Sequence, residues 1–223
     1  MTRVVIFAKA PLAGFAKTRL IPALGAEGAA NLASAMLSHT LEQALATGTQ
    51  AVELCMSPAP ADPAWQGVVL PQRVEQTDQG DGDLGARMSR AIACALALEQ
   101  GPVLVIGTDC PALTADHLME AARQLEHHDA VLLPASDGGY VLIGLQAPCP
   151  SLFNDMAWST PVVAQQTLSR MASVGLNVWR GPTLHDIDEP SDLKYLPETL
   201  KNTLFIYENS SITQQIRARA APN

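Results

Sequence analysis

The sequence predicts an α/β fold of three layers, helices on both faces of a mostly parallel sheet. Three observations predict it. Short apolar runs such as 3–8 (RVVIFA) and 103–107 (VLVIG) show no in–out alternation, as expected of strands covered on both faces. Between the apolar runs lie Ala- and Leu-rich stretches with helical spacing, chiefly 25–47 and 84–99. Strand and helix alternate along most of the 223 residues, a length that suits one such domain with a short appendage.

The elements follow in order. After the first strand, Pro11 and Gly14 make 9–14 a loop. A long helix over 25–47 is closed by Gly48 at its C′ position. Residues 51–56 form a second strand, 57–67 a proline-rich loop and 72–76 a short strand. The polar stretch 78–83 (DQGDGD) is a loop ahead of the 84–99 helix. Strand 103–107 is bounded by Pro102 and Pro111, and Thr114 caps a helix to about Glu126. Strands 130–134 (AVLLP) and 140–145 (YVLIGL) flank the turn Ser136-Asp137-Gly138-Gly139. Ser159 caps a helix to about Val174, 178–179 is a last strand, and 190–200 a short helix. Residues 1–200 make the domain. The tail 201–223 has mixed composition, and its Leu204-Phe205-Ile206-Tyr207 could pack back or meet a partner.

Composition excludes several function classes. Aromatics are 4% of the chain, so the core must be mostly Ala, Leu and Val. A net charge of −8 repels phosphate backbones and argues against broad nucleic-acid binding. Cys55, Cys94, Cys110 and Cys149 lack zinc-site spacing and read as small buried thiols. The N-terminus runs directly into an apolar strand, which leaves no room for a signal-peptide charged region, and no uninterrupted apolar stretch reaches spanning length. The expectation is a cytoplasmic protein without membrane insertion.

Ligands of open α/β sheets bind at the carboxyl ends of the strands, which turns the strands into a site map. Asp109 follows VLVIG. A carboxylate there must be solvated, hydrogen-bonded or cation-bound, because a bare buried charge is too costly. It either accepts N–H bonds from the turn into the next helix or ligates a hard cation such as Mg²⁺ or Mn²⁺. In Asp186-Ile187-Asp188, an extended backbone sets both carboxylates on one side and Ile187 inward. Asp188 then either caps the helix begun by Pro190 or supplies a second metal ligand.

The loop that leaves the first strand at Ala8 and Lys9 holds three cations, Lys9, Lys17 and Arg19, in a chain with 14 Lys plus Arg. With Gly14 allowing close approach, it can wrap a diphosphate, or it is a solvated surface loop. It is neither a Walker A sequence nor GxGxxG. Gly85, in the first turn of a helix, costs roughly 1 kcal/mol against Ala and so admits a ligand or a neighbouring element. Arg87 is a candidate anion partner, while Leu84 and Met88 are core. Asp137-Gly138-Gly139 is a hairpin turn, or an active-site turn that meets an acceptor with Tyr140. His39, His117, His127 and His128 fall in predicted helices and read as structural or surface; His185 is the histidine near the proposed site. No GxSxG elbow exists, which disfavours a serine hydrolase.

FAKAPLAGFAKTRL, GDLGARM, IGTDCPAL, SDGGYVLIGL, AWST and DIDEPSDL, in this order, resemble the radical-SAM/selenodomain-associated transferases. That family includes arsenosugar-biosynthesis-type glycosyltransferases and belongs to the nucleotide-diphospho-sugar transferase superfamily. Phospholactate and molybdenum-cofactor guanylyltransferases are similar more distantly. The resemblance spans roughly 3–196 and implies a GT-A-like fold. It implies a metal-dependent transferase with a nucleotide-activated donor, foremost a nucleotide-sugar glycosyltransferase. The alternatives are a nucleotidyltransferase releasing pyrophosphate and a non-catalytic nucleotide-binding protein.

By the same resemblance, Asp109 and Asp188 are the ligands of Mg²⁺ or Mn²⁺, with Gly107 where a strict DxD would have its first Asp. Lys17 and Arg19 lie over the donor phosphates, and Glu189 replaces a frequent Thr, giving a weaker N-cap. The expected donor contacts are completed by Ala8, Lys9, Gly14, Gly85 and Arg87. Asp109 and Asp137 are the expected catalytic carboxylates, and Gly138, Gly139 and Tyr140 the acceptor side. The partners implied are a nucleotide-activated donor and a small-molecule acceptor, with homo-oligomer formation open.

Overall fold

The computed structural model of the chain describes residues 2–48, 51–98 and 101–201. Seven strands form one sheet: β1 (Arg3–Lys9), β2 (Ala51–Ser57), β3 (Val74–Asp78), β4 (Val103–Gly107), β5 (Ala130–Pro134), β6 (Tyr140–Leu145) and β7 (Val178–Arg180). Their spatial order is β3-β2-β1-β4-β6-β5-β7. All pairs are parallel except those of β6, which runs antiparallel to β4 and β5. The reversal has a local cause. Gly138 takes φ +91°, and the Gly138 N–H donates to the Ala135 carbonyl at 3.2 Å, closing a tight turn. Strands joined by so short a turn pair antiparallel. The hairpin expected at Asp137-Gly138-Gly139 is therefore present.

Period-two alternation splits the buried strands between two helix layers. Val4, Ile6 and Ala8 of β1 join Leu37, Leu41 and Ala44 of α1 (Ile21–Ala46) and Leu118 and Ala121 of α3 (Ala115–Gln124). On the other face, Val5 and Val105 join Met88, Ile92 and Ala95 of α2 (Leu84–Leu98) and Met171 of α4 (Val163–Ser173). A third cluster joins Leu20, Leu32 and Met36 to Ile187, Leu196 and Leu200. It fastens the end of the first loop to the segment that carries Asp188.

Several boundaries differ from the sequence reading. The helix expected from Gly25 begins at Ile21, with Pro22 in its first turn, but Gly25 at φ +71° breaks it, so its regular part starts where expected. Gly48 at φ +66° is the expected C′ residue. β3 lies two residues later than 72–76. Ser159 does not cap α4: it takes φ +61°, and Thr160, Pro161 and Val162 precede the first helical residue. The expected 190–200 helix is split: a 3-10 helix, Pro190–Tyr195, ends where Leu196 is extended, and one further helical turn follows at 198–201. His127 and His128 sit after α3 rather than within it. Cys94 is exposed and Cys149 half-buried, so only Cys55 and Cys110 are buried thiols. The tail from 202, including 204–207, lies outside the described residues.

By length and composition alone, Thr18–Ala46 is long and apolar enough to cross a membrane, unlike the expectation that no stretch would be. Its apolar residues Leu32, Met36, Leu37 and Leu41 are buried in the clusters above.

A buried ion pair ties the first three strands. Arg3 Nη1 lies 3.0 Å from Glu53 Oε2 and 2.8 Å from Glu75 Oε2, while Thr77 Oγ1 donates to Glu53 Oε1 at 2.6 Å. Glu53→Gln keeps the shape but removes the charge opposite Arg3. It is expected to cost about 1–2 kcal/mol, read as a lower urea midpoint at unchanged slope.

Candidate active site

The carboxyl ends of β1, β4 and β5 share one end of the sheet, and the segment 184–188 crosses it. The Leu184 N–H donates to the Pro134 carbonyl at 3.0 Å, and the Ser136 N–H to the Leu184 carbonyl at 2.9 Å. Three residues later, the Ile187 N–H donates to the Asp109 carbonyl at 2.8 Å. With Ile187 fully buried, Asp186 and Asp188 fall on the other side of the extended segment, as the alternation predicts. Chain segments far apart in sequence thus bring Asp109 beside Ile187, the residue that precedes Asp188.

The first loop meets this edge through its cations. Lys17, in left-handed backbone (φ 47°, ψ 45°), places Nζ 2.5 Å from Asp109 Oδ1 and 2.5 Å from the Ile187 carbonyl. Its side chain is 7% exposed, whereas that of Asp109 is 61% exposed. Arg19 Nη1 lies 2.5 Å from Asp188 Oδ2, and both side chains are largely exposed. The expected basic loop and the expected metal carboxylates are thus in direct contact. Lys9 ends β1 exposed, and Gly14 (φ +81°) lies in the exposed loop beside Leu12 and Phe15.

Other expected contacts have structural work to do. Ala8 is buried, and its carbonyl accepts from the Gln79 side-chain amide at 3.1 Å. A Cβ on Gly85 would lie 2.5 Å from the Phe153 carbonyl oxygen and 3.2 Å from Trp158, so the close approach there is to a neighbouring element. Arg87 Nε donates to the Gly82 carbonyl at 2.9 Å, folding back on its own loop. Asp137 Oδ1 accepts from the Gly139 N–H at 2.7 Å, and the Gly138 carbonyl accepts from the Ala164 N–H at 2.9 Å. The Tyr140 hydroxyl approaches Met88 Sδ at 3.8 Å beneath α2, and burial pushes its phenol well above the ordinary range.

Residues absent from the sequence-based site also act here. Gln79 is buried and bridges the carbonyls of Ala8 and Cys55, which fastens the ends of β1 and β2; Arg90 holds the Gln79 and Asp81 carbonyls at 2.6 Å. His185, the histidine expected near the site, shares a hydrogen bond with Ser136 Oγ at 2.9 Å through Nδ1 and stacks on Tyr195 with ring centroids 4.1 Å apart. A second histidine reaches this end, since His39 Nε2 lies 3.1 Å from the Pro111 carbonyl just beyond Asp109. Asp192 accepts from the Asp188 and Glu189 N–H groups at 3.1 and 2.7 Å, so the cap at Glu189 is reinforced from within the helix.

Asp186 stands in a concentrated negative field. Burial first, then the charges of Asp137, Asp188 and Asp192, raise its carboxyl above the usual value. A folded-state value above the unfolded one means that its contribution to stability is fully present below the unfolded value, about 3.9, and is lost as pH rises through the folded value. Asp186→Asn is therefore expected to melt higher than the parent at pH 7.5. The gap should close as pH falls into the carboxylate range. Thermal melts across pH check this, and a variant that melts lower at pH 7.5 would contradict it.

The donor chemistry fits a hard divalent cation. Among the described residues, no group of three or more His, Cys, Asp or Glu side chains could hold a metal by itself. Asp109 and Asp188 supply two carboxylates, and Mg²⁺ is ordinarily held by one or two carboxylates together with waters and substrate phosphates. The groove lined by Ala93, Leu96, Ala97, Pro102 and Gln146 lies at the opposite end of β4, and among the described residues its lining has no ionisable side chain.

Residues 40–160 match the model of the family described as "Uncharacterized protein conserved in bacteria (DUF2064)". The chain belongs to this family. The match includes Asp109 and the Asp137 turn; Lys17, Arg19 and Asp188 lie outside it. No curated protein matches the chain in sequence. Over 96% of its length, this DUF2064 chain is 31% identical to a structure from Desulfovibrio desulfuricans G20, whose protein carries a provisional designation as a nucleotide-diphospho-sugar transferase. The match covers 97% of that chain with a TM-score of 0.82. Two further structures share the fold alone. One is the 4-diphosphocytidyl-2C-methyl-D-erythritol synthase of Anaerococcus prevotii, with 10% identity, 90% and 98% coverage of the two chains and TM-score 0.56. The other is Rv0371c of Mycobacterium tuberculosis H37Rv in complex with manganese, with 14% identity, 88% and 98% coverage and TM-score 0.51.

Proposed function

We propose that this DUF2064 member is a transferase that binds a nucleotide-activated donor with Mg²⁺ or Mn²⁺ and passes the activated group to a small-molecule acceptor. The observation that carries this is the paired arrangement of Lys17 with Asp109 and Arg19 with Asp188 at the carboxyl ends of the strands. Two carboxylates and two cations side by side suit a metal–diphosphate: the carboxylates suit the metal and the cations suit the phosphate oxygens. The provisional designation of the Desulfovibrio relative supports the same class.

A metal held by Asp109 and Asp188 would act as a Lewis acid that offsets charge on the leaving phosphate. Lys17 and Arg19 bind the phosphate oxygens and neutralise the remaining charge. Asp137, which holds its own turn through Oδ1 and the Gly139 N–H, has Oδ2 to orient an acceptor hydroxyl. Asp186 adds a further carboxyl within electrostatic reach of Asp137 and Asp188.

Glycosyl transfer is favoured over nucleotidyl transfer by the first loop. Cradling a triphosphate draws on successive backbone N–H groups freed by glycine, and 9–19 contains Gly14 alone. The resemblance to arsenosugar-type glycosyltransferases points the same way. Incubation with Mn²⁺ and either nucleotide-sugars or nucleoside triphosphates, with product identification, tests this. Release of a nucleoside diphosphate is the expected result. Release of pyrophosphate would replace it with nucleotidyl transfer, and nucleotide binding in chelator without turnover with a non-catalytic binding protein.

A further inference from the structure

We propose that Lys17 is a removable occupant of the metal position: its ammonium holds Asp109 until metal and nucleotide arrive together, so that free metal binds poorly. This rests on the functional reading above and deepens it, since it specifies how the two ligands depend on each other. Nζ sits between a carboxylate oxygen of Asp109 and the Ile187 carbonyl, each at 2.5 Å. Carboxylate and carbonyl oxygens are what Mg²⁺ and Mn²⁺ select. The ammonium therefore occupies oxygens suited to a hard cation.

Burial makes the exchange conditional. The Lys17 side chain is 7% exposed, so its charge depends on those two oxygens for compensation. A bare divalent ion on Asp109 would oppose the ammonium at the same carboxylate and leave it without a replacement anion. A metal that arrives with a polyphosphate brings that anion. Lysine then moves from carboxylate to phosphate oxygens as Asp109 takes the metal. Arg19 and Asp188 behave differently because both side chains are largely exposed: water can take up Arg19 when Asp188 is engaged. Lys17 is thus the coupling residue and Arg19 is not. Coupling of this kind is reciprocal, so metal tightens nucleotide by the factor with which nucleotide tightens metal.

Mn²⁺ alone is titrated into the parent, Lys17→Met and Arg19→Met, with loss of the free-ion paramagnetic resonance signal as the readout. UDP affinity is then measured in Mn²⁺ and in chelator, with GDP and CDP as parallel probes. Circular dichroism and melting establish that each variant is folded. Lys17→Met is expected to bind Mn²⁺ about tenfold tighter than the parent without nucleotide, and nucleotide in Mn²⁺ about tenfold weaker. Arg19→Met is expected to gain clearly less in Mn²⁺ affinity. Equal gains in the two variants would reduce the effect to net charge and overturn the proposal, as would no gain in folded Lys17→Met. If Lys17→Met does not fold, the parent decides: Mn²⁺ binding as tight without nucleotide as with it overturns the proposal, and clear tightening by nucleotide supports it. If the parent binds none of the three nucleotides in either condition, the functional reading fails and takes this inference with it. If it binds them in Mn²⁺ and Lys17→Met gains nothing, the inference alone fails.

Discussion

Asp109→Asn is expected to lower turnover by about a hundred- to a thousandfold while leaving the fold intact. The asparagine keeps the shape and still offers Lys17 a carbonyl oxygen, but the negative charge that would hold the cation is gone. The Asp109 side chain is 61% exposed, but the Lys17 side chain it pairs with is 7% exposed and loses its counter-charge, so the substitution also costs stability. The loss should fall on activity and on the Mn²⁺ concentration needed for half-maximal rate, with a lower melting temperature from the unpaired Lys17 but a cooperative melt that shows the variant is folded. Steady-state rates across a metal titration check this. A variant that binds Mn²⁺ and nucleotide as the parent does would remove Asp109 from the metal site.

Gly138→Ala is expected to be the most damaging glycine-to-alanine change among the described residues, at about 2–5 kcal/mol. A non-glycine residue at the left-handed φ of +91° costs about 1–2 kcal/mol. The added Cβ would also lie 2.0 Å from the Pro161 carbonyl oxygen and 2.5 Å from two further backbone atoms of Pro161. Backbone cannot rotate aside as a side chain can, so the entry to α4 must shift, adding about 1–3 kcal/mol. The bond from the Ala164 N–H to the Gly138 carbonyl is put at risk by the same movement. Gly14→Ala is the control, because Gly14 also has positive φ but an added Cβ meets nothing within 4 Å. Urea midpoints of the two variants should differ clearly, with Gly138→Ala the less stable. Equal midpoints would mean that the hairpin and Pro161 do not meet so closely.

How much of this was legible in the sequence depends on the range of the physics involved. β1 and β4 announced themselves because strands covered on both faces must be apolar throughout, and Val4 to Ile6 and Val103 to Ile106 are buried. The reversal of β6 was readable in Asp137-Gly138-Gly139, a short-range turn signal. The strand-end rule located Asp109, and alternation placed Ile187 inward with Asp188 outward. Contacts across the fold were not legible. Nothing local to Lys17 says that it will lie on Asp109, since the pairing depends on Leu20 and Ile187 sharing a core. Gln79 reads as one polar residue in a polar loop, yet it is buried because the carbonyls of Ala8 and Cys55 converge there. The reasons for Gly85 and Gly138 lie in Phe153 and Pro161, elements that pack on them from elsewhere in the chain. Ser159 does not cap the helix because Pro161 pushes Thr160, the residue that would open it, out of helical backbone.

The most direct measurement is thermal melting of the whole chain with Mn²⁺ alone, with nucleoside diphosphates and nucleotide-sugars alone, and with both together. A ligand that binds only the folded state at about a hundred times its Kd adds about 2.7 kcal/mol, which for a domain of this size raises Tm by about 5–10 °C. The expected result is a shift of that order for at least one nucleotide or nucleotide-sugar with Mn²⁺ present, abolished by chelator and by Asp109→Asn. No shift with any of these ligands, or a shift that persists unchanged in chelator, would contradict a metal-dependent nucleotide site at Asp109 and Asp188.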